Sequence, residues 1–182
     1  LKWINRQMKK ENNIFLVGLM GSGKTTIGKI IAKKLNYKFI DSDALIEEKT
    51  GVKVPLIFEY EGEAGFRKRE TKILSEIIKM NCIVLATGGG IILSKTNRQL
   101  LNKNSVVIYL NATIKELIKR LANDKDRPLI QNVDKETKLR ELIERRGSLY
   151  ESIADYIIKT KEKRASEIAS EIILNLRTNE NN

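Results

Sequence analysis

The residues Gly18-Leu19-Met20-Gly21-Ser22-Gly23-Lys24-Thr25 have the spacing of a loop that holds phosphate: glycine, four residues, glycine, lysine, threonine. Glycine at the turning positions allows backbone dihedrals that a side chain forbids, so amide N–H groups can face phosphate oxygens. A helix starting near Gly23 adds its positive end to the same anion. Lys24 has the reach for the β- and γ-phosphates, and the Thr25 hydroxyl can ligate Mg2+. The apolar run "NIFLV" precedes the loop and a helical pattern follows it, the context that separates such a loop from a chance glycine-rich turn. The motif points to a nucleoside triphosphate and is silent about what accepts the phosphoryl group.

Candidates for the acceptor side lie further along. Asp41 and Asp43 stand at the end of a second strand-like run, and in open parallel sheets ligands gather at the carboxyl ends of strands. Two carboxylates two apart in extended chain point the same way. One can hold Mg2+ through water while the other takes a proton from a hydroxyl; the competing reading is a helix N-cap beside a solvent carboxylate. Arg67 and Glu70, three apart, share a helical face. They form either a braced fork for a carboxylate or phosphate or an ordinary surface pair. Gly88-Gly89-Gly90 at a strand end either lets backbone amides approach a ligand or makes a flexible turn. Arg127, in the polar stretch "DKDRPLI", and Arg146, in "ERRGSLY", can close over transferring phosphate or remain solvated charge.

Composition limits the chemistry. The chain has no histidine and one cysteine among 182 residues. Ser-His-Asp catalysis, Cys-His catalysis and His-ligated zinc are excluded, so a general base must be a carboxylate or a lysine. Cys82 opens an apolar run and is expected as a buried structural thiol. The formal charge of +11 suits either nucleic acid or a small anionic substrate. The lysines are scattered over the polar sides of helical patterns, with no arginine-rich arm, so neither a nucleic-acid nor a membrane partner is expected. Hydrophobic residues make up 41% and charged residues 31%, which fits a soluble globular chain. No apolar run approaches the ~20 residues that cross a bilayer. Residues 1–10 and 178–182 are expected as flexible tails, with Met8 a candidate natural start.

The elements that must position these residues alternate between short apolar runs and helical periods. Strands are predicted at 14–17, 37–40, 82–86, 105–110 and 154–158. Helices are predicted at 24–35, 43–50, 63–80, 94–102, 113–122, 135–150 and 164–177. "VPLIFEY" reads as a short broken piece and 123–134 as a loop. The expectation is one α/β domain, a parallel sheet wrapped by helices, with insertions at 43–80 and 123–134.

In this order the motifs "GLMGSGKTTIGK", "DSD", "IFEYEGEAGFRKRE", "ATGGG", "DRPLI" and "RRGSLYESIADY" resemble the shikimate kinase family, from about Ile14 to Ile173. The resemblance implies a P-loop, nucleoside-monophosphate-kinase-like three-layer fold with a five-stranded parallel sheet in the order 2-3-1-4-5. It implies a single kinase domain over 1–182, with a substrate-binding segment at about 41–80 and a lid at about 122–134. The implied activity is ATP- and Mg2+-dependent phosphorylation of the 3-hydroxyl of shikimate to shikimate 3-phosphate, in chorismate and aromatic amino acid biosynthesis, by a cytoplasmic monomer. The implied ATP-binding residues are Gly21, Ser22, Gly23, Lys24, Thr25 and Thr26, with Arg120 packing on adenine. Arg127 is the implied lid arginine that reaches both substrate and γ-phosphate. Thr25 and Asp41 are implied near Mg2+. Asp43 is the implied base and contacts the shikimate hydroxyl. Arg67 and Arg146 grip the shikimate carboxylate, Glu70 braces Arg67, and Gly88, Gly89 and Gly90 line the substrate. Lys24, Asp43 and Arg127 would carry the chemistry.

Two departures leave choices open. The family's usual proline before "LY" is missing here, and Arg145 competes with Arg146, which register favours. On the adenine side Arg164 is a second candidate, while Arg69 falls on a different helical face and reads as a surface residue. The alternative function is another small-molecule kinase of the same fold, of the gluconate or nucleoside monophosphate type.

Overall fold

The five apolar runs pair into a single parallel sheet. The computed structural model describes residues 13–103, 105–122 and 134–178. The strands β1 (Asn13–Val17), β2 (Lys38–Asp41), β3 (Ile83–Ala86), β4 (Ser105–Asn111) and β5 (Tyr156–Lys159) lie in the expected order β2-β3-β1-β4-β5. All neighbours are parallel. The central strands read as near-continuous apolar runs because both of their faces are covered. Phe15, Val17, Leu85 and Val107 face one layer, formed by α2 (Ser42–Thr50), α3 (Val54–Ile77), α4 (Lys95–Leu101), α5 (Ile114–Leu121) and α6 (Lys135–Ile153). Their alternates Ile14, Leu16, Val84 and Val106 face the other, formed by α1 (Lys24–Leu35) and α7 (Ala165–Thr178).

β1 lies between β3 and β4, and the chain leaves it first toward β2 and later builds outward to β5. The strand order therefore reverses at β1, and a crevice opens beyond its carboxyl end. The phosphate-loop sequence starts there.

Several local expectations change. "VPLIFEY" is helical, not broken. Pro55 occupies the first turn of α3, where its missing N–H has no partner to lose, and Ile57 is buried beneath it. The helix breaks later, at Gly62 (φ 67, ψ −178). Cys82 precedes β3 instead of opening it and is only half-buried, with a left-handed φ of 55. Thr178, expected in a tail, closes α7, whose last turn is held down by buried Leu176. The expected tail 1–10, residues 179–182 and the lid residues 123–133, including Arg127, lie outside the described residues. Among the described residues no helix is long and apolar enough to cross a membrane.

Asn13 stitches the amino edge of the sheet. Its Nδ2 donates to the Met80 carbonyl at 2.7 Å, and its Oδ1 accepts from the Ile83 N–H at 3.2 Å. Asn13→Ala leaves a part-buried carbonyl and a buried N–H without their Asn13 partner, at about 1–3 kcal/mol for the buried group. Urea denaturation of this variant is expected to show a loss on the order of 2 kcal/mol or more. Its Michaelis constants should not move, because Asn13 lies at the opposite end of β1 from the loop; altered constants with unaltered stability would contradict this.

Candidate active site

The chain leaves β1 at Val17, turns through the loop and enters α1 at Lys24. Gly23, the residue before the helix, has φ 97 and offers no side-chain cap. Gly23 thus caps α1 with no side chain, which suits the helix start to anionic oxygen. Lys24 folds back over the loop, and its Nζ donates to the Gly18 and Leu19 carbonyls at 2.8 Å each. Ser22 is buried beneath it, and Thr26 is exposed on the first turn. Thr25 Oγ1 donates to Asp41 Oδ2 at 2.8 Å.

Asp41 takes the capping role and also meets the phosphate-loop hydroxyl. While Oδ2 accepts from Thr25, Oδ1 accepts from the N–H groups of Asp43 and Ala44 at 3.1 and 3.3 Å and caps α2. Asp43 is therefore in the first helical turn and not in extended chain. The two carboxylates diverge instead of pointing the same way. Asp41 faces the phosphate loop, and Asp43 faces the glycines after β3.

Those glycines are not a flexible turn. A Cβ on Gly88 would lie 2.7 Å from Asp43 Oδ1 and 3.0 Å from Glu70 Oε1, and one on Gly90 would lie 2.1 Å from Arg67 Nη2. Charged side chains occupy the space that any other residue type would need. The Gly88 N–H, expected to meet a ligand, instead donates to Ser42 Oγ at 2.9 Å. The Gly89 carbonyl accepts from Arg146 Nη1 at 3.3 Å and from the Tyr150 hydroxyl. Ser42 and Tyr150 belong to none of the spacing patterns above. Ser42 sits between the two aspartates in sequence, and Tyr150 follows Arg146 by four residues on the buried face of α6; these were the available signals. Tyr150 also stacks on Tyr109, with ring centroids 5.0 Å apart.

Arg67 and Glu70 do more than decorate a surface. Arg67 Nη1 donates to Glu70 Oε2 at 2.8 Å, and Nη2 donates to Glu63 Oε1 at 2.9 Å. Burial works against the Arg67 charge, but the two glutamates outweigh it and raise its pKa above the ordinary arginine value. Arg146 is 6% exposed, and among the described residues no carboxylate pairs with it. Burial, with Arg67 nearby, lowers its pKa. Arg145 is exposed, whereas Arg146 meets the glycine backbone. Arg69 pairs with Glu61 at 2.5 Å on the surface, as expected. Arg120, exposed on α5, donates from Nη1 to the Gly21 carbonyl at 3.2 Å. Arg164 pairs with Glu167 at the start of α7, and no described contact joins it to the loop.

Two guanidinium groups and a carboxylate thus meet at one backbone stretch, beside a loop shaped for phosphate. A sequence model of shikimate kinases matches residues 20–177. The chain is 48% identical to the shikimate kinase of Nitrosococcus oceani over 91% of its own length and 87% of the relative's. It is 50% identical to that of Thiobacillus denitrificans, over 84% of each chain. The chain belongs to the shikimate kinase family. Its structure superposes on shikimate kinase from Acinetobacter baumannii in complex with shikimate with a TM-score of 0.90 at 45% identity, covering 92% of this chain and 94% of the other. A phosphate loop serves many acceptors, and fold alone does not choose among them. Membership of the shikimate kinase family does, and it makes this chain a phosphotransferase acting on shikimate in aromatic biosynthesis.

Glu70 links this site to pH. Burial pushes its carboxyl up to about 7 from an ordinary 4.5, against the pull of Arg67, and Asp43 adds to the push. Between those values the folded chain keeps a proton that the unfolded chain releases, so stability falls as pH rises through that window. In urea denaturation at about pH 5 and pH 8, the native chain should lose on the order of 3 kcal/mol more than Glu70→Gln. Equal losses would return Glu70 to the ordinary carboxylate range.

Proposed function

We propose that the chain transfers the γ-phosphoryl group of ATP to the 3-hydroxyl of shikimate through the residues gathered at the carboxyl ends of β1, β2 and β3. The observation that carries the residue assignment is the pair of guanidinium groups at Gly89 and Gly90, half-buried Arg67 and buried Arg146, the latter without a carboxylate partner among the described residues. Shikimate supplies the missing anion. Arg67, held by Glu63 and Glu70, presents a fixed fork to its carboxylate, and Arg146 closes on it from α6. Since the Gly88 amide is committed to Ser42, contacts from the glycine backbone to the substrate fall to Gly89 and Gly90. Asp43, on the same side, takes the proton of the 3-hydroxyl.

The hydroxyl oxygen then bonds to the γ-phosphorus, the bond from that phosphorus to the β-phosphate oxygen breaks, and ADP leaves. Lys24, held over the loop by two carbonyls, neutralises charge on the transferring group, with the N–H groups from Gly21 to Thr26 and with Arg127. Arg120 contacts the nucleotide from α5. The donor set also suits Mg2+, which takes one or two protein oxygens and otherwise keeps water and phosphate. The Thr25 hydroxyl and the Asp41 carboxylate, 2.8 Å apart, would hold it. When bound, it screens the phosphate charge. The enzyme acts as a cytoplasmic monomer, where ATP is at hand and one chain supplies every group named.

ADP release from ATP and Mg2+ tests the reaction, with shikimate as acceptor and gluconate and AMP as controls. Release that depends on shikimate alone is expected; release with gluconate or AMP would overturn the acceptor. Asp43→Asn should keep ATP affinity and lose most of kcat, about 100-fold or more. Normal turnover in that variant would remove Asp43 as the base.

A further inference from the structure

Arg120 reaches the phosphate loop from α5, and one carboxylate holds it there. Glu116 stands one turn earlier, and its Oε1 accepts from Arg120 Nη2 at 3.0 Å. The same oxygen accepts from Thr160 Oγ1, just past the end of β5, at 3.4 Å. Oε2 accepts from the N–H and the hydroxyl of Thr113 at 3.0 and 2.9 Å, within the capping box that starts α5. A carboxylate offers about four lone-pair positions, and these four donors match them. Burial works against the Glu116 charge, but Thr113 and Arg120 outweigh it and hold its pKa below the usual range.

An ordinary exposed pair at this spacing leaves both side chains free to swing and contributes little. Here Glu116 is tied to the start of α5 and to buried Thr160, whose own N–H donates to Asn111 at the end of β4. The carboxylate is therefore fixed to the sheet. The other end of the Arg120 guanidinium donates to the Gly21 carbonyl. The next residue, Leu121, packs on the same glycine, where a Cβ would lie 3.0 Å from Leu121 Cγ. Through Glu116, the ends of two strands set the position of a cation on the phosphate loop.

We propose that Glu116 is a positioning residue for the nucleotide: it fixes Arg120 against Gly21, so that ATP binding and not shikimate binding depends on it. This rests on the reading of Arg120 as a nucleotide contact. The test is initial-rate kinetics with ATP varied at saturating shikimate, and the converse. Glu116→Gln is expected to raise the KM for ATP several-fold and to leave kcat and the KM for shikimate near native values. Arg120→Ala should raise the KM for ATP as well, and in that background Glu116→Gln should add nothing. Asn13→Ala loosens the far edge of the sheet and leaves Glu116 untouched, so it should lower Tm without moving the KM for ATP. A rise in that KM with Asn13→Ala, or additive effects of the Glu116 and Arg120 changes, would reduce Glu116 to a structural residue. A native KM in Glu116→Gln beside a raised one in Arg120→Ala would mean that Arg120 needs no holding. A native KM in Arg120→Ala would overturn the nucleotide reading of Arg120 itself.

Discussion

Two guanidinium groups, from α3 and α6, lie against the backbone of Gly89 and Gly90. Like charges brought together out of water repel, and burial adds a desolvation cost. Much of the acceptor side answers that constraint. Glu63 and Glu70 neutralise Arg67, while among the described residues Arg146 meets the Gly89 carbonyl and no carboxylate, and its pKa is lowered. Buried Glu70 in turn holds a raised pKa. Charged side chains can lie this close to the backbone because Gly88 and Gly90 carry no side chains of their own. An anionic substrate fits such a place because it supplies the charge that the protein leaves uncompensated.

The nucleotide side obeys a different rule. There the backbone provides the polar groups and the side chains are tied down by carbonyls and carboxylates. Lys24 is held by Gly18 and Leu19, Thr25 by Asp41, and Arg120 by Gly21 and Glu116. Asp41 joins the two sides, since one oxygen meets Thr25 and the other starts the helix that carries Asp43. Phosphoryl transfer asks for fixed positions and neutralised charge more than for covalent chemistry. A chain without histidine meets both needs.

Much of this was legible in the sequence. The strand order followed from the resemblance to a family, and the phosphate loop from spacing alone, because a loop between one strand and one helix is a local structure. Arg67 and Glu70 were legible as a pair because three residues on a helix put them side by side. Local rules failed where a neighbour in space decided. The Pro55 stretch reads as a broken piece by pattern, yet a proline in the first turn and the burial of Ile57 make it helical. Spacing left Asp41 and Asp43 open between an extended pair and a helix N-cap, and only the hydrogen bonds from the Asp43 and Ala44 N–H groups to Asp41 decide for the cap. Ser42 and Tyr150 drew no role because their partners, Gly88 and Gly89, lie more than forty residues away in sequence.

By itself, then, the sequence determined the layers, the loop and the residue types available for chemistry, through periodicity and short-range spacing. Tertiary structure decided which of those residues meet. Arg146 and not Arg145 faces the site, since the buried face of α6 runs through Leu142, Arg146 and Tyr150. Gly88 spends its amide on Ser42, and Glu116 becomes the fixed point for Arg120. Each of these rests on contacts between elements far apart in the chain, where burial and hydrogen-bond satisfaction select one neighbour from many that spacing allows.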